Sequence, residues 1–166
     1  MQPGEYSREV VGLIPAGGEA TRLAPLPLSK ELFPIGFRRV NDQWGIRPKP
    51  VCLYLLESLR LAGIENAFVV LRRGKWDLPA YLGDGRAFGL NLAYLMLGLP
   101  YGVPYTLDQA YPFVRHSLVA VGFPDVIFQP ADAFVKLLDR QAATGAEVVL
   151  GLFPTDQPQK ADMVEV

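Results

Sequence analysis

The chain has 166 residues, is 50% hydrophobic and 20% charged, and carries a formal net charge of −1. That length suits one domain able to bury about two-thirds of its unfolded surface, and the near-neutral balance points to no nucleic acid and no anionic membrane as partner. The single cysteine, Cys52, excludes an internal disulfide and a cysteine-based metal cluster. No basic-plus-apolar leader, no apolar run near about 18 residues and no lipidation signal is present, so a cytoplasmic protein is expected.

In chain order, Val10–Ile14 is continuously apolar, as in a strand covered on both faces, and Pro15 cannot donate to a ladder and should end it. Gly36 to Pro48, with Arg38, Arg39 and Trp44-Gly45 in it, is expected to form either a small hairpin near the phosphate site or merely a crystal-contact loop. From Lys49 to Ala62, residues Val51, Tyr54, Leu55, Ser58, Leu59 and Ala62 fall on one helical stripe, closed by Gly63 as the C′ residue. Cys52 lies within that helix as buried filler. Asn66–Leu71 and Asn91–Met96 read as strands, with Gly83 to Gly85 as a turn between them. Thr106 is a candidate helix N-cap. Ser117–Val121 and Val148–Phe153 are further strand candidates, and His116, the only histidine, is a partly exposed strand-entry residue. Between those two strands, Ala131–Thr144 places Phe134, Leu137, Leu138 and Ala142 at helical spacing before Gly145, with Asp132 in the first turn. Strands separated by helices argue for a mostly parallel sheet in a layered α/β fold.

Chemistry concentrates behind the first strand. Ala16-Gly17-Gly18-Glu19-Ala20-Thr21-Arg22-Leu23 leads through Pro25, Pro27 and Ser29 to Lys30. Glycines let the main chain approach an anion so that its N–H groups can donate, and Arg22 and Lys30 add a fork and a point charge. Residues 20 to 50 hold Arg22, Lys30, Arg38, Arg39, Arg47 and Lys49 against only Glu31 and Asp42. For Arg38 and Arg39 a solvated basic loop is as good a reading as ligand contact. The run is neither a P-loop, since no Gly-Lys-Ser/Thr follows, nor a dinucleotide fingerprint.

The segment Ala16 to Ile35, ending in Lys30-Glu31-Leu32-Phe33-Pro34-Ile35, resembles the signature of the sugar-1-phosphate nucleotidylyltransferases, with Ala20 where a glycine is usual. Leu82-Gly83-Asp84-Gly85 and Phe88-Gly89-Leu90-Asn91-Leu92 resemble the family's approach to its third strand. The resemblance implies a Rossmann-like α/β fold of the nucleotide-diphospho-sugar transferase type. It also implies transfer of a nucleoside monophosphate from a nucleoside triphosphate to a sugar 1-phosphate, with pyrophosphate released and Mg²⁺ as cofactor. By that resemblance Ala16, Gly17, Gly18 and Thr21 hold the nucleotide, Arg22 faces the leaving pyrophosphate and Lys30 lies between the phosphates. Asp125 matches the metal ligand, although Phe123-Pro124 separates it from Gly122 where the family has a direct Gly-Asp. Tyr101 or Tyr105, in the loop from Gly98 to Thr106 that would hold the base, can stack on it or serve as a packing aromatic. Leu97 stands where the family often has a glutamine that reads a pyrimidine.

The tail Ala161-Asp162-Met163-Val164-Glu165-Val166 resembles the start of the sugar-contacting segment, with Glu165 matching its glutamate and Asp162 standing where a glycine is usual. Residues 1–166 are therefore expected to form a single nucleotidyltransferase domain, truncated at the C-terminal sugar-binding part of a longer enzyme. A homo-oligomer is left open. Two other classes compete with the enzyme: a catalytically inactive regulatory domain that binds nucleotides or nucleotide sugars, and an interaction domain using the same fold.

Overall fold

The structure is a computed structural model that describes residues 8–40, 45–99, 101–157 and 159. Six strands and five α-helices alternate along these residues. They are β1 (Val10–Pro15), β2 (Pro34–Arg39), β3 (Ile46–Pro50), α1 (Cys52–Leu61), β4 (Asn66–Arg72), α2 (Asp77–Leu82), β5 (Asn91–Leu97), α3 (Val103–Asp108), α4 (Tyr111–Val114), β6 (Leu118–Val121) and α5 (Ala133–Thr144). Four strands form one parallel sheet in the order β5-β4-β1-β6. β1 is central, with Val11 opposite Asn66 and Val10 opposite Leu118. The expected mostly parallel α/β fold is present.

Alternate strand residues feed two cores, because successive side chains of a strand point to opposite faces. On one face Ile14, Val69, Leu71 and Ala120 pack with Leu53, Leu56 and Leu59 of α1 and Phe134 of α5. On the other, Val11, Leu13, Val70 and Leu97 meet Ala110 and Val114 at α4. The sheet is thus covered by helices on both faces, and because its strands are all parallel their carboxyl ends lie at one edge.

Helix α1 begins at Cys52 rather than Lys49, because Pro48 and Pro50 bracket Lys49 and the residue before a proline is driven out of the helical region. Lys49 instead lies within β3, which ends at Pro50. The far end of α1 matches expectation: Gly63 has φ +75°, its N–H donates to Arg60 O at 3.0 Å, and Ile64 N–H donates to Leu59 O at 3.1 Å. That reciprocal pair is the Schellman arrangement, which favours glycine at the left-handed position. Helix α5 starts at Ala133 with Asp132 at the N-cap position, one residue before the expected first turn; Asp132 pairs with Lys136 at 3.1 Å.

Two expectations fail. Thr106 is not an N-cap but a buried residue inside α3, its hydroxyl donating to Gly102 O at 2.9 Å. Pro104, at the start of that helix, sets it going earlier. Val148–Phe153 is not a strand: these residues have no ladder partner among the described residues, and Val148 is 72% exposed. β6 pairs only with β1 among the described residues and Gly151 lies beside Leu137 of α5, so the apolar run has no ladder to complete. The hairpin expected within residues 36–48 exists as antiparallel β2–β3, with Trp44 outside the described residues. It packs over α1 and the turn Arg86–Phe88 rather than on the phosphate loop: Arg38 lies 5.2 Å from the Phe88 ring centroid. No helix among the described residues is long and apolar enough to cross a membrane.

Gly122, just past β6, shows how tightly the site-bearing edge is packed. A Cβ there would lie 2.3 Å from Leu55 Cδ1 and 3.2 Å from Phe134 Cζ. Gly122→Ala should therefore cost about 1–3 kcal/mol by overpacking, measured as a lowered urea midpoint, and adding Leu55→Val should recover part of the loss.

Candidate active site

β1 carries the chain to the carboxyl edge of the sheet, where Ala16 N–H still donates to Val70 O at 2.9 Å. Ala16 and Gly17 are buried and Gly18 is exposed, so the backbone rises out of the sheet over these residues. In an open α/β sheet this edge is where ligands collect. Gly17 lies against Leu97 at the end of β5, beyond β4 in the sheet, since a Cβ on it would be 3.0 Å from Leu97 Cδ1. A Cβ on Gly18 would be 3.3 Å from Lys30 Nζ. The second glycine therefore leaves the lysine room to lie over the main chain.

Lys30 is placed by its neighbours on both sides. Ser29 donates twice to Asp77, from N–H to Oδ2 at 2.6 Å and from Oγ to Oδ1 at 2.7 Å. Glu31 is fully buried and pairs with Lys75 Nζ at 2.5 Å. These two ties pin the turn Lys30–Leu32 onto the segment joining β4 to α2. Between them the Lys30 ammonium reaches Asp125 Oδ2 at 2.6 Å. Asp125 lies after β6, so a residue from the β1 loop and one from the β6 loop meet beside Gly18.

Burial is the largest influence on the Asp77 carboxyl and pushes it up. The hydrogen bonds from Ser29 Oγ and N–H and from the N–H groups of Asp77 and Leu78 together outweigh it and hold the group below its ordinary 3.8. Burial pushes Lys75 below its ordinary 10.5, Glu31 opposes that, and the nearby charges of Lys30 and Arg72 add to it. The Cys52 thiol, pushed up to about 12 by burial and then by the charge of Glu31, is no nucleophile.

The expected site residues thus divide. Gly17, Gly18, Lys30 and Asp125 come together. Thr21 and Arg22 are exposed in a turn whose Leu23 and Ala24 N–H groups both donate to Ala20 O, and Arg22 makes no ion pair among the described residues. Tyr101 is exposed and packs edge-on against Tyr105, with centroids 5.3 Å apart. Glu165 lies outside the described residues. A cleft of ≈ 550 Å³ opens between the glycine loop and the β4–α2 segment, lined among others by Gly18, Lys30, Arg72, Lys75 and Asp77. Arg72, Lys75 and Asp77 escaped the sequence reading. Their signal was the cationic run Arg72-Arg73-Gly74-Lys75 directly after a strand, in the position where ligands gather.

Asp125 is a workable partial ligand for Mg²⁺. One oxygen is engaged by Lys30, the other has no hydrogen-bond partner among the described residues, and Mg²⁺ commonly takes one or two carboxylates with phosphate and water oxygens completing the shell. Among the described residues no cluster of three or more His, Cys, Asp or Glu side chains could hold a metal unaided.

The sequence matches the nucleotidyl transferase family over residues 11–165. It is similar to a glucose-1-phosphate thymidylyltransferase of Mycolicibacterium smegmatis, 34% identical over 70% of this chain and 38% of that protein. A protein of the same description from Neisseria meningitidis serogroup A is 28% identical over 93% of this chain and 50% of its own length. The chain therefore spans half or less of these curated relatives. The fold also matches the crystal structure of a UDP-glucose pyrophosphorylase complexed with UDP-glucose, with a TM-score of 0.62 and 20% identity over 81% of this chain and 53% of that one.

Ala20 in the glycine loop and Asp77 at the start of α2 each carry a testable consequence. Ala20 has φ +55°, a left-handed conformation that a Cβ disfavours by about 1 kcal/mol or more. Ala20→Gly should accordingly raise the melting temperature; a fall would mean that the loop prefers alanine for another reason. For Asp77, a lowered carboxyl adds stability only while ionised, so its contribution is full above the ordinary 3.8 and is lost as pH falls through the lower folded value. Asp77→Asn should thus lower the urea midpoint at pH 7, by about 1 kcal/mol of stability, and the gap to the unaltered protein should close below pH 3.8. A gap that persists in acid would contradict the assignment.

Proposed function

We infer function from one premise: this chain belongs to the nucleotidyl transferase family. We propose that it is the nucleotide-handling part of an enzyme that joins a nucleoside monophosphate, taken from a triphosphate, to a sugar 1-phosphate. The observation that carries this reading is Lys30 held 2.6 Å from Asp125 beside Gly18, at the carboxyl ends of parallel strands. A cytoplasmic setting accords with such substrates.

In this reaction a phosphate oxygen of the sugar attacks the α-phosphorus, the bond from that phosphorus to the bridging oxygen of the β-phosphate breaks, and pyrophosphate leaves. The attacking phosphate is already ionised near neutral pH, so a general base is not needed. The difficulty is bringing two polyanions together and neutralising charge on the leaving group, which fixed cations and aimed N–H groups do best. Gly17 and Gly18 offer backbone N–H groups to the nucleotide. Lys30, held by the ties of its neighbours Ser29 and Glu31, supplies a positive charge between the two phosphates. Arg22, exposed and free of ion pairs among the described residues, can turn to the departing pyrophosphate without breaking a native contact. Asp125 would hold Mg²⁺, which supplies charge neutralisation across phosphate oxygens when bound.

The relatives' names point to dTTP or UTP with glucose 1-phosphate. Leu97 bears on base choice: it is buried and apolar, so it can offer a base no hydrogen bond. Discrimination at that position must come from shape or from other residues.

The test is a pyrophosphate-release assay with Mg²⁺, across four nucleoside triphosphates and with glucose or mannose 1-phosphate. Release should need both substrates, and Lys30→Ala should lower the rate by about a hundredfold or more. Saturable nucleotide binding without release would instead favour a regulatory domain that binds nucleotides without turnover.

A further inference from the structure

The cleft beside the glycine loop holds three cations, and they are unequally compensated. Lys30 faces Asp125 at 2.6 Å and Lys75 faces Glu31 at 2.5 Å. Among the described residues Arg72 faces only Glu19, at 4.0 Å, too long for a good hydrogen bond. Its Nε is buried and bonds to nothing. A guanidinium with an unanswered inward nitrogen, at the open edge of a cleft, is an incomplete binding group. Its five donors are matched best by paired oxygens of the phosphate kind.

Position sharpens this. Arg72 is the last residue of β4 and stands opposite Leu97 in register, with its side chain on the same face of the sheet. It therefore rises from the sheet edge next to Gly17, the start of the glycine loop. Glu19 is the oddity that Arg72 accounts for. A carboxylate one residue beyond Gly18 would repel a phosphate arriving at the loop, unless a cation stood by to neutralise it. At 57% exposure Glu19 can swing into solvent, which leaves its cation to the ligand.

We propose that Arg72 is a phosphate-contacting residue of the nucleotide site, and that Glu19 is its exchangeable counter-ion, displaced when a polyphosphate binds. The proposal rests on the nucleotide-binding reading above and adds a contact that the glycine motif does not contain. It predicts two variants with opposite effects, because removing the cation weakens the site and removing its resident anion strengthens it.

The experiment is calorimetric titration at fixed ionic strength with two probes, a nucleoside triphosphate and inorganic tripolyphosphate, which carries no base. Arg72→Ala should weaken both by about tenfold or more, as expected for loss of a charge-assisted contact. It should also flatten the salt dependence of binding. Glu19→Gln should tighten both probes, and since Glu19 is exposed this variant is not expected to disturb folding. Thermal melts of both variants confirm that the fold is kept. Unchanged tripolyphosphate affinity in Arg72→Ala, or weaker binding in Glu19→Gln, would overturn the proposal. Loss confined to the nucleotide, with tripolyphosphate unaffected, would assign Arg72 to the base and also overturn it. If the unaltered protein binds neither probe, the nucleotide-binding reading falls and this proposal falls with it.

Discussion

Glu31 is a carboxylate with no exposure to water, and its placement constrains everything around it. An ionised group in that position must find a partner inside the protein, and removing one member of such a buried pair typically costs about 3–5 kcal/mol. Lys75 is the partner, 44 residues further along the chain. The glycine loop is therefore anchored to the β4–α2 segment, and Ser29, two residues before Glu31, is anchored again by Asp77. Lys30 sits between the two anchors. Its ammonium is aimed across the sheet edge because its neighbours on either side have nowhere else to go.

From that constraint the site follows in order. Parallel strands bring their carboxyl ends together, β1 delivers the glycines there, and β6 delivers Asp125. Gly122 permits the close packing of Leu55 and Phe134 beneath the β6 loop. The result is a rim of backbone N–H groups and cations over a rigid sheet, with acids spaced among them as resident counter-ions. For the proposed polyphosphate ligand, Lys30 and Lys75 are held before it arrives, so little reorganisation of these two is needed when charge moves. The cost is that Lys30, Lys75 and Arg72 each have a local anion in the free protein, which Asp125, Glu31 and Glu19 provide at three different distances.

Much of this was legible in the sequence, for reasons that can be stated. The strands β1 and β4 were visible because strands covered on both faces are apolar almost throughout, and the edge strand β5 because it is a short run of mostly apolar residues after a glycine turn. The ends of α1 and α5 were marked by Gly63 and Gly145, whose left-handed φ only glycine adopts at no steric cost. Lys30 and Asp125 are 95 residues apart, and nothing local joins them. They were singled out by resemblance to a family motif, and the structure brings them into contact. The Glu31–Lys75 and Ser29–Asp77 ties were invisible because each depends on tertiary approach between segments of ordinary composition. Val148–Phe153 misled because a continuous apolar run records only that the residues suit a covered position. It cannot say whether a neighbouring strand is there to pair with.

The most direct measurement is a crystal structure of this chain with a non-hydrolysable nucleoside triphosphate analogue and Mg²⁺. The account predicts phosphate oxygens within about 3 Å of the Gly18 N–H and of Lys30 Nζ, with the metal on Asp125. Phosphates bound away from the glycine loop, with the Lys30–Asp125 pair undisturbed and no metal on Asp125, would contradict it.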